Sequence, residues 1–234
     1  MVTSNRMSNG LPKGIYFDMD NTLFDFVEAK LIACECMIDH MGSGDPEDLL
    51  NYFLRGKYHF EHLSNIKEYI EDQGIYSDDL FIQCCDIYQS TTLDNIKLYP
   101  NVMDTLELLK KKNISVAIVT DAYKQNAARR LKKAGICHLI DKLITRDVSG
   151  AKKPELEVFY YALNEFKYSP NEVVFVGDSM RRDIAPAKQI GMITAHALYG
   201  DKNRNYGISL KPDHVLKDIK DILQIIDSSD HHNC

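Results

Sequence analysis

The sequence predicts a doubly wound parallel α/β sheet carrying a small, inserted all-helical domain, and three observations support that expectation. Short apolar, β-rich runs alternate with helical patterns from Gly14 onward. The runs Val116-Ala117-Ile118-Val119 and Val173-Val174-Phe175-Val176 are unbroken apolar, as strands buried on both faces are. Between Asp25 and Lys97 the rhythm stops, and only helical stretches follow one another. Alternation of strand and helix places parallel strands side by side with helices on both faces.

The elements follow in order. Residues 1–13 are polar, contain Gly10 and Pro12 and lack a signal-peptide apolar region, so a short disordered leader is expected. Gly14–Asp18 is the first strand. Residues 25–97 are the inserted domain, the rest of 14–228 the α/β core. Within the insert, a first helix spans Phe26 to Met41, and Ser43-Gly44-Asp45-Pro46 restarts a helix carrying Leu49, Leu50 and Phe53. A third spans roughly Glu61 to Gln73, closed by Gly74, and Ser77 opens a fourth with Leu80, Phe81, Cys84, Ile87 and Tyr88.

Beyond the insert, Tyr99-Pro100-Asn101 precedes a helix built on Val102, Leu106 and Leu109, with Lys110 to Lys112 suiting the dipole of its last turn. Strands are expected at Ser115–Thr120, more weakly at Lys142–Ile144, then at Glu172–Gly177, Met192–Ala197 and, briefly, Asp213–Val215. Pro154 suits a first helical position ahead of Val158, Phe159, Ala162 and Phe166. Gly135 and Gly191 suit helix C-caps, where a left-handed backbone is needed. Residues 229–234, with His231 and His232, read as a disordered tail.

Composition narrows the function classes. The 234 residues are 44% apolar and 26% charged, ordinary for a globular protein of one large domain or a domain plus insert. A formal net charge of -6 argues against broad nucleic-acid binding and against an anionic membrane surface. No apolar stretch approaches the roughly 20 residues that span a bilayer. The cytoplasm is the expected location. Among six cysteines, Cys34 and Cys36 point to nearly opposite helix faces, Cys84 and Cys85 are adjacent, and no pairs have zinc spacing. Free thiols are expected.

Chemistry concentrates at strand ends, where open α/β sheets bind ligands. Asp18-Met19-Asp20-Asn21-Thr22 runs an apolar strand into two carboxylates and a hydroxyl. Ionising both carboxylates needs a cation nearby or one kept protonated; the alternative is a turn in which Asp and Asn only satisfy the backbone. Thr120-Asp121-Ala122 offers a hydroxyl and free amides to an anion, or an ordinary N-cap. Lys153 precedes Pro154, which holds it extended and aims a cation at a helix start, where a bound anion would suit it; a solvated loop lysine is the alternative. Gly177-Asp178-Ser179-Met180-Arg181-Arg182-Asp183 supplies two more carboxylates, ligands for a hard cation such as Mg²⁺ or helix caps.

In that order and spacing, Asp18-Met19-Asp20-Asn21-Thr22, Thr120, Lys153-Pro154 and Gly177-Asp178 with Asp183 resemble the four motifs of the haloacid dehalogenase superfamily, over nearly the whole chain. The helical insert resembles the cap of its phosphoglycolate-phosphatase-like branch. The resemblance implies a Mg²⁺-dependent phosphatase of a small phosphorylated metabolite. Asp18 would attack phosphorus, and Asp20 would protonate the leaving alcohol and then activate water. Mg²⁺ would be held by Asp18, the Asp20 carbonyl and Asp178, with Asp183 supporting through waters. Thr120, the Asp121 amide and Lys153, rather than Lys152, would clamp the phosphoryl oxygens. The true dehalogenases lack an aspartate at the position of Asp20, so its presence favours phosphoryl transfer. A phosphomutase, which keeps both aspartates, and a non-catalytic binding protein are the alternatives. Within the insert, Arg55 and Lys57 are candidates for substrate selection, against a reading as solvated surface charges. The expected partners are a small phosphorylated metabolite and, at most, a second copy of the chain, with neither nucleic acid nor membrane.

Overall fold

The computed structural model describes residues 11–202 and 210–230. The first ten residues, 203–209 and the last four, with His231, His232 and Cys234, lie outside it. Two compact units emerge: Asp25–Lys97, and Met1–Phe24 together with Leu98–Cys234.

The larger unit is a six-stranded sheet in the order β3-β2-β1-β4-β5-β6. These strands are β1 (Gly14–Phe17), β2 (Ser115–Thr120), β3 (Lys142–Thr145), β4 (Val173–Gly177), β5 (Ile193–Ala197) and β6 (His214–Leu216). Every pairing is parallel. Parallel neighbours require crossovers, supplied here largely by helices that cover the sheet and keep β1, β2, β4 and β5 almost wholly buried. Because β1 lies between β2 and β4, strand order reverses around it, and the crevice beyond its carboxyl end is the place where such sheets bind ligands. Register brings Phe17 level with Ile118 and Val176, so Asp18, Thr120 and Asp178 leave adjacent strands near one edge.

One sheet face packs Tyr16, Ala117, Val119 and Phe175 against Val158, Phe159 and Ala162 of a helix. The Phe159 and Phe175 ring centroids are 4.9 Å apart. Helices after the insert are α5 (Val102–Lys111), α6 (Lys124–Lys133), the short α7 (Arg146–Ser149), α8 (Leu156–Phe166), α9 (Ala185–Gln189) and α10 (Ile222–Asp230).

The insert holds α1 (Phe26–Met41), α2 (Pro46–Leu54), α3 (Ser64–Asp72) and α4 (Asp78–Asp94), with no strand among them. Side chains at three starts accept from backbone amides: Asp25 from Glu28, Asp45 from Asp48 and Ser77 from Leu80. Its core gathers Met37, Leu49, Phe53, Ile66, Tyr69 and Cys84. Within that core lies a fully buried cation, Lys30. Its ammonium donates to Tyr88 Oη at 2.6 Å and to the Phe60 carbonyl. It also sits 4.0 Å and 4.3 Å from the ring centroids of Phe60 and Phe53, whose π faces attract it.

Several boundaries differ from those expected. Pro154 is not the first helical residue: α8 begins at Leu156, and the Lys153–Pro154 peptide is cis. The third helix begins at Ser64, because residues 59–62 turn back on themselves through the His62 N–H to His59 O bond. At the end of the chain, α10 continues through Asp230, two residues into the expected tail. Lys13, at the end of the expected leader, donates its amide to Glu172 O. Gly135 and Gly191 take positive φ after their helices, as expected of C-caps. Among the described residues Cys34, Cys36, Cys84, Cys85 and Cys137 are free thiols, and burial pushes Cys34 up to about 12. No helix of the described residues is long and apolar enough to cross a membrane.

Candidate active site

The end of β1 sets the site. Asp18 continues the strand ladder by donating its amide to Val176 O at 2.8 Å, which places it at the end of β1, the strand between β2 and β4. The backbone then turns sharply at Asn21, whose φ of 61° is a left-handed conformation that asparagine tolerates better than most residues. Amides of Thr22 and Leu23 both donate to Met19 O, which closes the turn.

Lys153 lies across this end of the sheet. Its ammonium is 2.5 Å from Asp18 Oδ1 and 2.8 Å from Asp183 Oδ1, with all three side chains almost wholly buried. Burial alone lowers the affinity of this amine for its proton; Asp18, Asp183 and Asp121 outweigh it and keep Lys153 charged. The Lys153 backbone is fixed too, because its amide donates to Asp121 Oδ1 at 2.8 Å. Asp121 therefore does not cap α6, which starts three residues later at Lys124. Thr120 Oγ1 accepts from the Ala122 amide at 3.2 Å, on the strand adjoining Asp18.

On the other side, β4 delivers Asp178. A wide helical turn over Met180–Ile184 returns Asp183 toward it, and Ser179 N donates to Asp183 Oδ2 at 3.0 Å. The close return explains Gly177: a Cβ there would lie 2.6 Å from Asp183 side-chain atoms. Asp18, Asp178 and Asp183 each offer a carboxylate oxygen within 4.8 Å of the others, a spacing that suits one hard cation. Burial first, then the charges of Asp18 and Asp183, push the Asp178 carboxyl well above the ordinary carboxylate range. Asp183 is raised chiefly by burial, against the pull of Lys153. Asp178 Oδ1 is buried with no hydrogen-bond partner. An orphaned buried carboxylate oxygen facing two further carboxylates fits a divalent cation. Among the described residues, this is the one grouping of His, Cys, Asp and Glu with metal spacing.

Three of the expected residues, Asp20, Arg55 and Lys57, stand differently from the simplest reading. The Asp20 carboxylate is engaged by Arg130 Nη1, 3.0 Å from Oδ1 and 2.8 Å from Oδ2. Arg130 was no sequence candidate, because 110 residues separate it from Asp20 and it belongs to a run of basic residues on α6. Arg55 and Lys57, in the helical unit, share one carboxylate, Glu68, with Arg55 Nη2 at 2.5 Å from Oε2. Arg182 also joins the site, 3.4 Å from Asp121 Oδ2, and the surrounding carboxylates hold its proton despite the opposing effect of burial. His196 and Asp201, both buried, were likewise missed. His196 Nε2 lies 3.0 Å from Asp178 O and 2.8 Å from Asp201 Oδ2. The signal was present: a histidine inside the otherwise apolar strand Ile193-Thr194-Ala195-His196-Ala197 asks for a buried polar partner.

The family model described as haloacid dehalogenase-like hydrolase matches residues 15–197. The glyceraldehyde 3-phosphate phosphatase of Methanocaldococcus jannaschii is 30% identical over 223 residues, covering 92% of this chain and 96% of that one. Among solved structures, a candidate phosphoglycolate phosphatase from Haemophilus somnus superposes with a TM-score of 0.72 at 27% identity, over 94% of this chain and 99% of its own. A candidate β-phosphoglucomutase from Thermotoga maritima gives 0.79 at 20% identity, over 92% and 99%, a likeness of fold alone.

Proposed function

The chain belongs to the haloacid dehalogenase-like hydrolase family and is a phosphatase of small phosphorylated metabolites, and from that premise we propose a Mg²⁺-dependent phosphomonoesterase working through an aspartyl-phosphate on Asp18. The observation that carries this reading is the buried set of Asp18, Lys153, Asp178 and Asp183. Lysine neutralises part of the carboxylate charge, and the orphaned Asp178 oxygen asks for a cation.

Asp18, Asp178 and the Asp20 backbone carbonyl would hold Mg²⁺, with Asp183 beside them. When bound, the cation supplies positive charge that offsets the phosphoryl oxygens and the clustered carboxylates. Everything else falls to the chain. Lys153 donates to Asp18 Oδ1 and so fixes the carboxylate from which an oxygen attacks phosphorus. The bond from phosphorus to the leaving oxygen breaks as Asp20 gives that oxygen a proton. Asp20 then takes a proton from water, the water oxygen attacks phosphorus, and the bond to Asp18 breaks, releasing phosphate. Thr120, the Asp121 amide and Lys153 hold the phosphoryl oxygens as charge shifts among them. Arg130 Nη1 engages both Asp20 oxygens, so proton donation to the leaving oxygen requires that contact to open.

Triose phosphates and phosphoglycolate are the substrates that the similar proteins suggest first, with Arg55 and Lys57 as the proposed selecting cations. A mutase would need the aspartyl-phosphate sheltered from water, and no residue described here demands that. The test is phosphate release from a panel of phosphorylated metabolites, with Mg²⁺ or EDTA, in the wild type and Asp18→Asn. Metal-dependent release that disappears in the variant is expected. Release retained by folded Asp18→Asn would refute the covalent route.

A further inference from the structure

Past β5 the chain reverses tightly. Gly200 N donates to Ala197 O at 3.1 Å and Asp201 N to Leu198 O at 3.4 Å, which brings the Asp201 carboxylate back beneath the His196 imidazole. Both partners of His196 Nε2, the Asp201 carboxylate and the Asp178 carbonyl, are acceptors, so this nitrogen carries the hydrogen and serves them together. Strand register makes the contact possible, because His196 stands level with Gly177, the residue before Asp178.

The same reversal reaches the other carboxylate-bearing loop. Tyr199 Oη donates to Thr22 O at 2.7 Å. Gly200 lies against the turn itself: a Cβ there would sit 1.6 Å from Asn21 O, a separation no side chain could occupy. One six-residue segment therefore touches the Asp18-to-Thr22 turn and the Asp178 loop at once.

We propose that residues His196 to Asp201 form a brace that fixes the Asp18 and Asp178 loops at the spacing a divalent cation requires, with His196, Tyr199 and Asp201 as positioning residues. The inference rests on the metal-dependent reading above. Its physical reason is repulsion: Lys153 compensates the clustered carboxylates only in part, so without the divalent cation the ionised Asp18 and Asp178 push their loops apart. A brace that prevents this spares the incoming cation the work of drawing them together, and so tightens binding.

The experiment is calorimetric titration of the full chain with Mg²⁺, without substrate, on the wild type, His196→Ala, His196→Gln, Tyr199→Phe and the control Val158→Ala. Val158 lies in the core on α8. His196→Ala is expected to weaken the Kd about 10- to 100-fold, the range for groups that support metal ligands from behind. His196→Gln keeps an N–H donor and should recover part of that loss, Tyr199→Phe should weaken binding more mildly, and Val158→Ala should leave the Kd unchanged. If His196→Ala fails to fold, Tyr199→Phe decides, since it deletes one hydroxyl only. Unchanged Kd values across the brace variants, or an equal loss in Val158→Ala, would overturn the brace and leave the phosphatase reading intact. A wild type that binds no Mg²⁺ would overturn both.

Discussion

Lys153 shows how a single side chain can serve structure and chemistry together. Its buried ammonium stands between Asp18 and Asp183, and removing one partner from a buried charge group is costly because it leaves the others uncompensated. Lys153→Met should therefore destabilise the metal-free protein by about 3–5 kcal/mol, measured by urea unfolding at neutral pH, and Mg²⁺ should restore part of that loss. An unchanged urea midpoint would mean that the carboxylates are not ionised in the metal-free fold. Asp20 stands apart from this cluster on Arg130, so Asp20→Asn should leave the fold intact while lowering kcat about 10²- to 10⁴-fold, the range for a general acid and base. What the sequence made visible at this scale was the motif-bearing set: Asp18, Asp20, Thr120, Asp121 and Asp178 stand at strand ends or in the turns beyond them, Lys153 follows α7, and Asp183 lies on the helical turn after β4. Arg130 and the His196–Asp201 pair were not visible, because their meaning lies in contacts between distant segments. Local spacing carries no trace of such contacts.

Elements were legible in proportion to how much they bury. The strands β2 and β4 are apolar without interruption and fall within a residue of where the sequence puts them. The edge strand β6 is only three residues long, with Val215 half-exposed, and its apolar signal is correspondingly faint. What fixes β6 is polar. Asp213 accepts from Thr194 N at 3.0 Å, Thr194 Oγ1 at 2.7 Å and Lys188 Nζ at 2.8 Å, tying the strand's entry to β5 and α9. Burial opposes ionisation of Asp213, but these donors outweigh it and hold its carboxyl below the ordinary range. A carboxyl depressed in the fold contributes stability at pH values above its unfolded pKa, and that contribution disappears as pH falls through the folded value. Asp213→Ala should thus cost about 1–3 kcal/mol at pH 7, with the difference from wild type shrinking below pH 4. A deficit that persisted unchanged into acid would assign the loss to packing instead of charge.

At the scale of the whole molecule, the helical insert and the α/β unit each own a hydrophobic core, but the carboxylates with metal spacing all belong to the α/β unit. A metal held by these carboxylates would therefore add its binding energy to that unit. Without metal, Asp178 and Asp183 have carboxyls raised by burial and by neighbouring charge. Groups raised in this way hold protons more tightly when folded, so their contribution is full below the unfolded carboxylate pKa of about 4 and is lost as pH rises through the folded values. A cation reverses that loss by compensating the charges, while protons compete with it at low pH. Mg²⁺ at about 100 times its Kd should add about 2.7 kcal/mol. For a chain of 234 residues that corresponds to a rise in Tm of about 5–11 °C. The rise should be larger at pH 8 than at pH 5 and much smaller in Asp178→Asn, measured by scanning calorimetry with and without EDTA. An equal rise in Asp178→Asn would place the cation elsewhere. A rise independent of pH would mean that the three carboxylates are already ionised before the cation arrives, held so by Lys153 and Arg182.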